Sequence, residues 1–341
     1  MNIYPLLRDL MFRLDAETAH HLGLNSLKWL ELTGLLKLMM PKPLVKPVRV
    51  MGIDFANPVG LAAGLDKNAD YLEALALLGF GFVEVGTVTP RPQPGNTRPR
   101  MFRLPEAEAI INRMGFNNLG VAHLIEQVQV AQTNVKVGIN IGKNFDTPVE
   151  KALDDYLIGL GKVYAHTDYV TINISSPNTP GLRSLQFGKA LDDLLSALKN
   201  SQADLAEKHE RYVPMAVKVA PDLTAEELLQ LADTFSRFQV DAVIATNTTL
   251  DRDAVSGLKH AEEAGGLSGR PVFAKSTEVV RQFRQALPAE MPIIAAGGIN
   301  SGEDARAKLD AGAALVQIYS GLIYQGPALI RDIVKTLQQR T

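Results

Sequence analysis

Eight short apolar runs, rich in Val and Ile, constrain the fold of this chain more than any other feature. They are VGLAAG (59–64), FVEVGTV (82–88), VKVGINIG (135–142), YVTINIS (169–175), PMAVKVA (214–220), DAVIATN (241–247), PIIAAGG (292–298) and ALVQIYSG (314–321). A strand buried on both faces reads this way, and parallel sheets covered by helices are made of such strands. Helix-like segments lie between most of them. TAEELLQLADTFSRF (224–238) offers Thr224 as an N-cap and sets Leu228, Leu229 and Leu231 on or beside one face. Residues 191–209 and 301–312 have the same character. Eight strands alternating with helices predict the α/β class, a (β/α)8 TIM barrel, whose chemistry lies at the C-terminal ends of the strands.

All eight runs turn polar or glycine-rich at that end. The first ends in Ala63-Gly64-Leu65-Asp66-Lys67 and the second carries Thr87. The third carries Asn140 and Lys143, and the fourth Asn173, Ser175 and Ser176. Lys218, then Thr246, Asn247 and Thr248, stand at the fifth and sixth; Gly297-Gly298 and Tyr319-Ser320 stand at the last two. The fourth run continues as INISSPNTPG (172–181), which taken alone is a turn. Eight such ends together form the rim of a site. AAGGI and YSG fit the barrel's usual phosphate position, after the seventh and eighth strands. Lys218 lies between Val217 and Val219 and needs an anionic or electron-rich partner, which could be a ligand or a nearby carboxylate.

Composition narrows the chemistry. The 341 residues include no cysteine, which excludes disulfides, thiolate metal sites and a cysteine nucleophile. A net charge of −2 gives no reason to expect nucleic acid. None of the six histidines falls at a strand end, so metal catalysis and a histidine base are not expected. A rim of amides, hydroxyls and lysines suits a flat, hydrogen-bonding, anionic ligand such as a flavin or a pyrimidine. The competing reading is a Schiff-base lyase or aldolase using Lys218 or Lys67.

The strings GLAAGLDKN, VEVGTVTPRPQPGN, INRMGFNN, GINIGKN, INISSPNTPGLR, VKVAPD, ATNTT, GGLSGRP, AAGGI and QIYSG resemble, in order and nearly end to end, class 2 dihydroorotate dehydrogenases. That class is quinone-dependent and membrane-associated, and it serves pyrimidine biosynthesis. The resemblance implies oxidation of dihydroorotate to orotate, with one non-covalent FMN as hydride acceptor and ubiquinone or menaquinone as final acceptor. Flavin contacts would fall on Ala63, Gly64, Lys67, Thr87, Asn140, Asn173, Lys218 and Thr246, with the phosphate near Gly269, Gly298, Tyr319 and Ser320. Substrate would be held by Lys67, by Asn112, Arg113, Met114, Gly115 and Phe116, and by Asn173, Asn178, Asn247 and Thr248. Ser176 would be the base, in a loop stiffened by Pro177 and Pro180, with Thr179 and Phe116 in a proton relay. Other classes place a cysteine there, and this chain has none.

The N-terminus reads differently. Residues 1–49 carry seven Lys/Arg against four Asp/Glu, a balance of +3 that leaves −5 elsewhere. YPLLRDLMFRL, TAHHLGLNSLKWLEL and GLLKLMM predict short amphipathic helices, with Asp15 as an N-cap. No cleavage pattern marks a secretory signal. They could cover the barrel as ordinary core or lie in a membrane interface. The resemblance implies the second, with His20 and Arg103 near the quinone head, a segment 1–45 distinct from the barrel 46–341, and a peripheral location on the inner face of the cytoplasmic membrane. The uncharged stretch 311–330 is long enough to cross a bilayer but is interrupted by Gln317, Gln325, Gly326 and Pro327; it is expected to be a buried strand and a loop.

Overall fold

The computed structural model describes residues 4–179 and 181–339. Pro180, expected to stiffen the loop beyond Ser176, lies outside the described residues. Three helices open the chain: α1 (Tyr4–Met11), α2 (Ala16–Leu32) and α3 (Leu35–Met39). Asp15 caps α2 as expected, accepting from the Thr18 amide. A hairpin follows, β1 (Val48–Val50) and β2 (Ile53–Phe55).

The eight apolar runs form a closed parallel barrel. In chain order its strands are β3 (Val59–Leu61) and β4 (Phe82–Val88); then, after β5 (Met101–Leu104) and β6 (Ala109–Asn112), β7 (Lys136–Ile141), β8 (Tyr169–Asn173), β9 (Met215–Val219) and β10 (Ala242–Ala245). β11 (Gly266–Gly269) intervenes before β12 (Ile293–Ala296) and β13 (Leu315–Ile318) close the ring against β3. The barrel's lower interior is filled by Phe82, Tyr169, Ile244, Ile294 and Leu315, and the hairpin's Val50 and Phe55 plug that end. Glycine is required beside these rings. A Cβ at Gly60 would lie 2.2 Å from the Phe82 ring, and one at Gly138 2.1 Å from that of Tyr169. Each is far inside contact distance in a close-packed interior.

The larger core lies between the strands and the surrounding helices. Thr224 heads the helix Ala225–Arg237 with a reciprocal capping box to Glu227. Leu228 and Leu231 are buried there, but Leu229 is exposed, one residue off the inward stripe. The stretch 311–330 holds β13 as expected, but the loop expected after it is the helix Ser320–Gln325. Among the described residues no helix is long and apolar enough to cross a membrane.

An antiparallel sheet that the sequence reading did not anticipate, in the order β11-β6-β5, is joined to the strand-end loops by a bridge from Thr249 to Leu267. Its residues Phe102, Leu104, Ile111 and Leu267 have their own small core.

Candidate active site

One cleft, of about 1080 Å3 counted to its open mouth, lies over the C-terminal ends of the strands. Ala63, Gly64 and Lys67 reach it from β3, Thr87 from β4, Asn173 from β8, Lys218 from β9 and Thr246 from β10. Asn112, Met114, Gly115 and Phe116 enter from the loop after β6; Ser176 and Asn178 enter from the loop after β8, and Asn247 and Thr248 from the one after β10. Gly269, Gly298, Tyr319 and Ser320 line one end. Two expected residues do not line it. Asn140 lies one layer deeper, fully buried. The Arg113 side chain turns outward to Glu263, 2.7 Å away, and lies over the Phe102 ring. Lys143 also turns away, donating to the carbonyls of Asn144 and Thr147.

The two serines have different surroundings. Ser175 does not line the cleft; it is fully buried, accepts from Asn247 Nδ2 at 3.0 Å and donates to Asn173 Oδ1 at 3.4 Å. Ser176 does line it, and its Oγ accepts from the Asn178 amide at 3.2 Å. Asn178 is itself held by the Asn112 carbonyl at 3.1 Å. The loop is stapled by Arg183, which bonds the Ser175 and Thr248 carbonyls and the Asp222 carboxylate. Thr179 is buried in the same loop.

Lys218 is buried and, among the described residues, makes no hydrogen bond and no ion pair. Burial lowers its pKa, and the Glu84 carboxylate acts in the opposite direction from beyond ion-pair distance. The expectation of a nearby carboxylate is therefore met only at long range. Lys67 donates to the Gly64 carbonyl at 2.7 Å. Burial pushes its pKa down to about 8, partly offset by Glu17 and Asp66. Asp66 accepts from three backbone amides, yet burial raises it to about 6.

Three participants escaped the sequence reading. Ser268 lines the cleft and shares a 2.9 Å hydrogen bond with Ser320. Gln317 also lines it, and its buried Oε1 has no partner. Glu84 is completely buried and accepts from Gln317. The Glu84 signal was visible in FVEVGTV, a charge inside an apolar run, as with Lys218.

His20 and Arg103 lie beside the cleft rather than in it. Lys67 and His21 add to the burial that pushes His20 down to about 3, which places α2 against the rim. Arg103 donates to the Met11 and Leu14 carbonyls and lies over the Phe12 ring. Between these helices and the cleft runs an apolar cluster of Ala16, Met101, Ile110, Met114 and Tyr324. Met114 belongs to both the cluster and the cleft.

A (β/α)8 barrel with a glycine-lined end, an unpaired buried lysine and a wall of amides defines a class: enzymes that hold a flat anionic ligand at the strand ends. The family model for dihydroorotate dehydrogenase matches residues 46–341. A dihydroorotate dehydrogenase (quinone) from Azotobacter vinelandii is 61% identical over 335 residues, 98% of this chain and 96% of that protein. One from Proteus mirabilis is 60% identical over 331 residues, 97% of this chain and 98% of that one. The crystal structure of DHODH from Eimeria tenella in complex with ferulenol superposes with a TM-score of 0.86 at 38% identity, covering 95% of this chain and 91% of that one. The chain belongs to the dihydroorotate dehydrogenase family and, within it, to the quinone-dependent class.

Proposed function

We propose that the cleft holds FMN and dihydroorotate together, with Ser176 as the base. The enzyme oxidises dihydroorotate to orotate and passes the electrons to a quinone, in pyrimidine biosynthesis. The Schiff-base alternative has no support from this family.

The residues present fit FMN. Among the described residues Lys218, which lines the cleft, makes no hydrogen bond or ion pair, and the buried Gln317 Oε1 has no partner, although buried polar groups ordinarily have one. At the other end, a Cβ on Gly298 would lie 2.5 Å from Phe273, so only glycine brings the backbone this close. Gly269, Gly298, Tyr319 and Ser320 are the proposed phosphate cradle. Ala63, Gly64, Lys67, Thr87, Asn173, Lys218 and Thr246 are the proposed ring and ribityl contacts, with Asn140 supporting Thr87 and Asn173 from below. Bound FMN supplies a two-electron hydride acceptor.

Ser176 would remove the proton from C5 of dihydroorotate as the C6 hydride leaves. A serine is a weak base until activated; the buried Thr179 in the same loop is the proposed carrier of its proton, and Phe116, which also lines the cleft, would wall that path. Lys67, Asn112, Asn178, Asn247 and Thr248 present the donors and acceptors that a pyrimidine edge and carboxylate require. Arg113 would contribute its backbone alone.

The helices α1–α3 form a proposed unit, 1–45, that rests on the membrane surface. Arg103 and His20 flank the apolar cluster ending at Met114, which is the proposed path for the quinone, ubiquinone or menaquinone. The proposed location is peripheral, on the inner face of the cytoplasmic membrane.

The observation that carries this reading is the single cleft gathering Ser176, Lys218 and the glycine-lined end. A visible spectrum tests it. Purified protein should show flavin bands that bleach anaerobically with dihydroorotate and return with quinone. A colourless protein, or bands untouched by dihydroorotate, would refute it.

A further inference from the structure

Glu84 lies in the barrel interior, completely buried, and does not itself line the cleft. One oxygen accepts from Asn140 Nδ2 at 2.8 Å. The other accepts from Tyr169 OH at 2.9 Å and Gln317 Nε2 at 2.7 Å. An ionised carboxylate only accepts, so each neighbour must turn a hydrogen toward it. The consequence climbs through the barrel. Asn140 gives its NH2 to Glu84 and so presents Oδ1 upward, where it accepts from Thr87 Oγ1 at 2.6 Å and Asn173 Nδ2 at 3.3 Å. Asn173 then presents its own Oδ1, which accepts from Ser175 Oγ and from Asn247 Nδ2, both at 3.4 Å. Asn247 Oδ1 accepts in turn from the Thr248 amide at 2.9 Å. Every hydrogen in this stack points down toward Glu84. On the other side, Gln317 spends its NH2 on Glu84 and leaves Oε1 as an acceptor.

We propose that Glu84 is a positioning residue that sets the donor and acceptor sense of the amides facing the cofactor and substrate. An amide has nearly the same shape in either flip state, so packing alone cannot choose between them; a buried carboxylate at the base of the stack can. The inference rests on the FMN reading above, since it concerns what the cleft's amides offer that ligand.

The test uses the isosteric change Glu84→Gln. It introduces an NH2 where the native residue meets only donors, so Asn140 or Gln317 must invert. An inverted Asn140 sets its Nδ2 against Asn173 Nδ2, and the error passes to the cleft. The double variant Glu84→Gln/Asn140→Asp moves the carboxylate one step up the stack. The amide introduced at position 84 then donates to the carboxylate introduced at position 140. That carboxylate still accepts from Thr87 and Asn173, so the sense is restored.

Each protein is stripped of flavin and titrated with FMN, and the melting temperature of each apoprotein is recorded alongside. The single variant should bind FMN roughly ten- to a hundredfold more weakly, the cost of one mispaired buried polar contact. The double variant should recover most of that loss. Equal affinity for wild type and Glu84→Gln overturns the proposal, as does a double variant no better than the single. If the single variant does not fold, the double must fold and bind FMN, and its failure to do so also overturns the proposal. A wild-type protein with no affinity for FMN would refute the reading of the cleft itself.

Discussion

The cleft and the N-terminal helices solve opposite problems. At the cleft, polar groups face inward and one side chain orients the next, from Glu84 up to Thr248. On the helices, apolar groups face outward. Among the described residues eighteen large hydrophobic side chains are exposed, and eleven of them fall between Leu6 and Val45. α1 has no buried residue at all. The helices are nevertheless firmly attached. Glu17, buried in α2, pairs with Arg100 at 2.7 Å and with Arg98 at 3.0 Å. Tyr4 donates to the Ile323 carbonyl and Arg8 to that of Tyr324. A segment that buries Leu24 and Leu36 but turns most of its large apolar side chains to solvent is not ordinary core. That contrast supports an interfacial role and tells against the alternative that the helices merely cover the barrel.

The contrast can be broken first at the cleft, where the largest effect is expected. Ser176→Ala should leave FMN bound and slow its reduction by dihydroorotate about 10²–10⁴-fold, the usual worth of a positioned base. Ser175→Ala should do less, because Ser175 does not reach the cleft. Stopped-flow bleaching of the flavin bands measures both. Equal rates for the two variants would remove the distinction between buried and cleft-facing serine.

The same contrast explains what was legible in the sequence. The eight barrel strands were readable because burial on both faces leaves a nearly continuous apolar run. The cleft was readable because all eight runs end in residues that a core would not keep. The sheet of β5, β6 and β11 was not, since MFRL carries a charge, AIIN breaks off in polar residues and GLSG has one large apolar side chain. Glu84 gives the same signal as Lys218, a charge inside an apolar run, but no residue near it in sequence shows that it orients the amides above. The loop expected after β13 begins a helix because Ser320 faces the cleft, Leu322 joins the main core and Tyr324 joins the apolar cluster, a tertiary effect without local period. The Glu17–Arg100 pair joins residues 83 apart in sequence and leaves no local trace.

A second test works on the helices alone. Leu6, Leu10 and Leu38 are 71%, 60% and 83% exposed. Replacing all three with Ser should leave folding and cleft chemistry unchanged while weakening binding to anionic lipid vesicles by about a hundredfold or more, since each buried leucine contributes about 1.5–3 kcal/mol. Vesicle co-sedimentation and the bleaching rate are read on the same preparation. A variant that still sediments with vesicles like the native protein would return the helices to the role of packing.

The smallest expected effect concerns the joint between the two regions. Burial first, then the charges of Lys67 and His21, push His20 down to about 3 from its ordinary 6.5. With the helices docked, His20 stays neutral; with them released, it takes up a proton below about pH 6.5. The released state therefore binds more protons between pH 6.5 and 3, so docking is strongest above that window and weakens as pH falls through it. One group sets a limit of about tenfold in the docking equilibrium per pH unit. Asp66, raised to about 6, has the opposite sign, because the folded chain keeps a proton that an unfolded one loses. Its three amide partners come from residues 68, 70 and 71, however, so release of α1 and α2 alone leaves them in place. Limited proteolysis of the α1–α2 connection at matched pH isolates the joint. Relative to a His20→Asn variant, wild type should be cut faster as pH drops from about 6.5 toward about 4.5, and the two should converge above about pH 7. Parallel curves for the two proteins would mean that His20 does not sense release of the helices and that the rim and the segment are coupled only through Glu17 and its arginines.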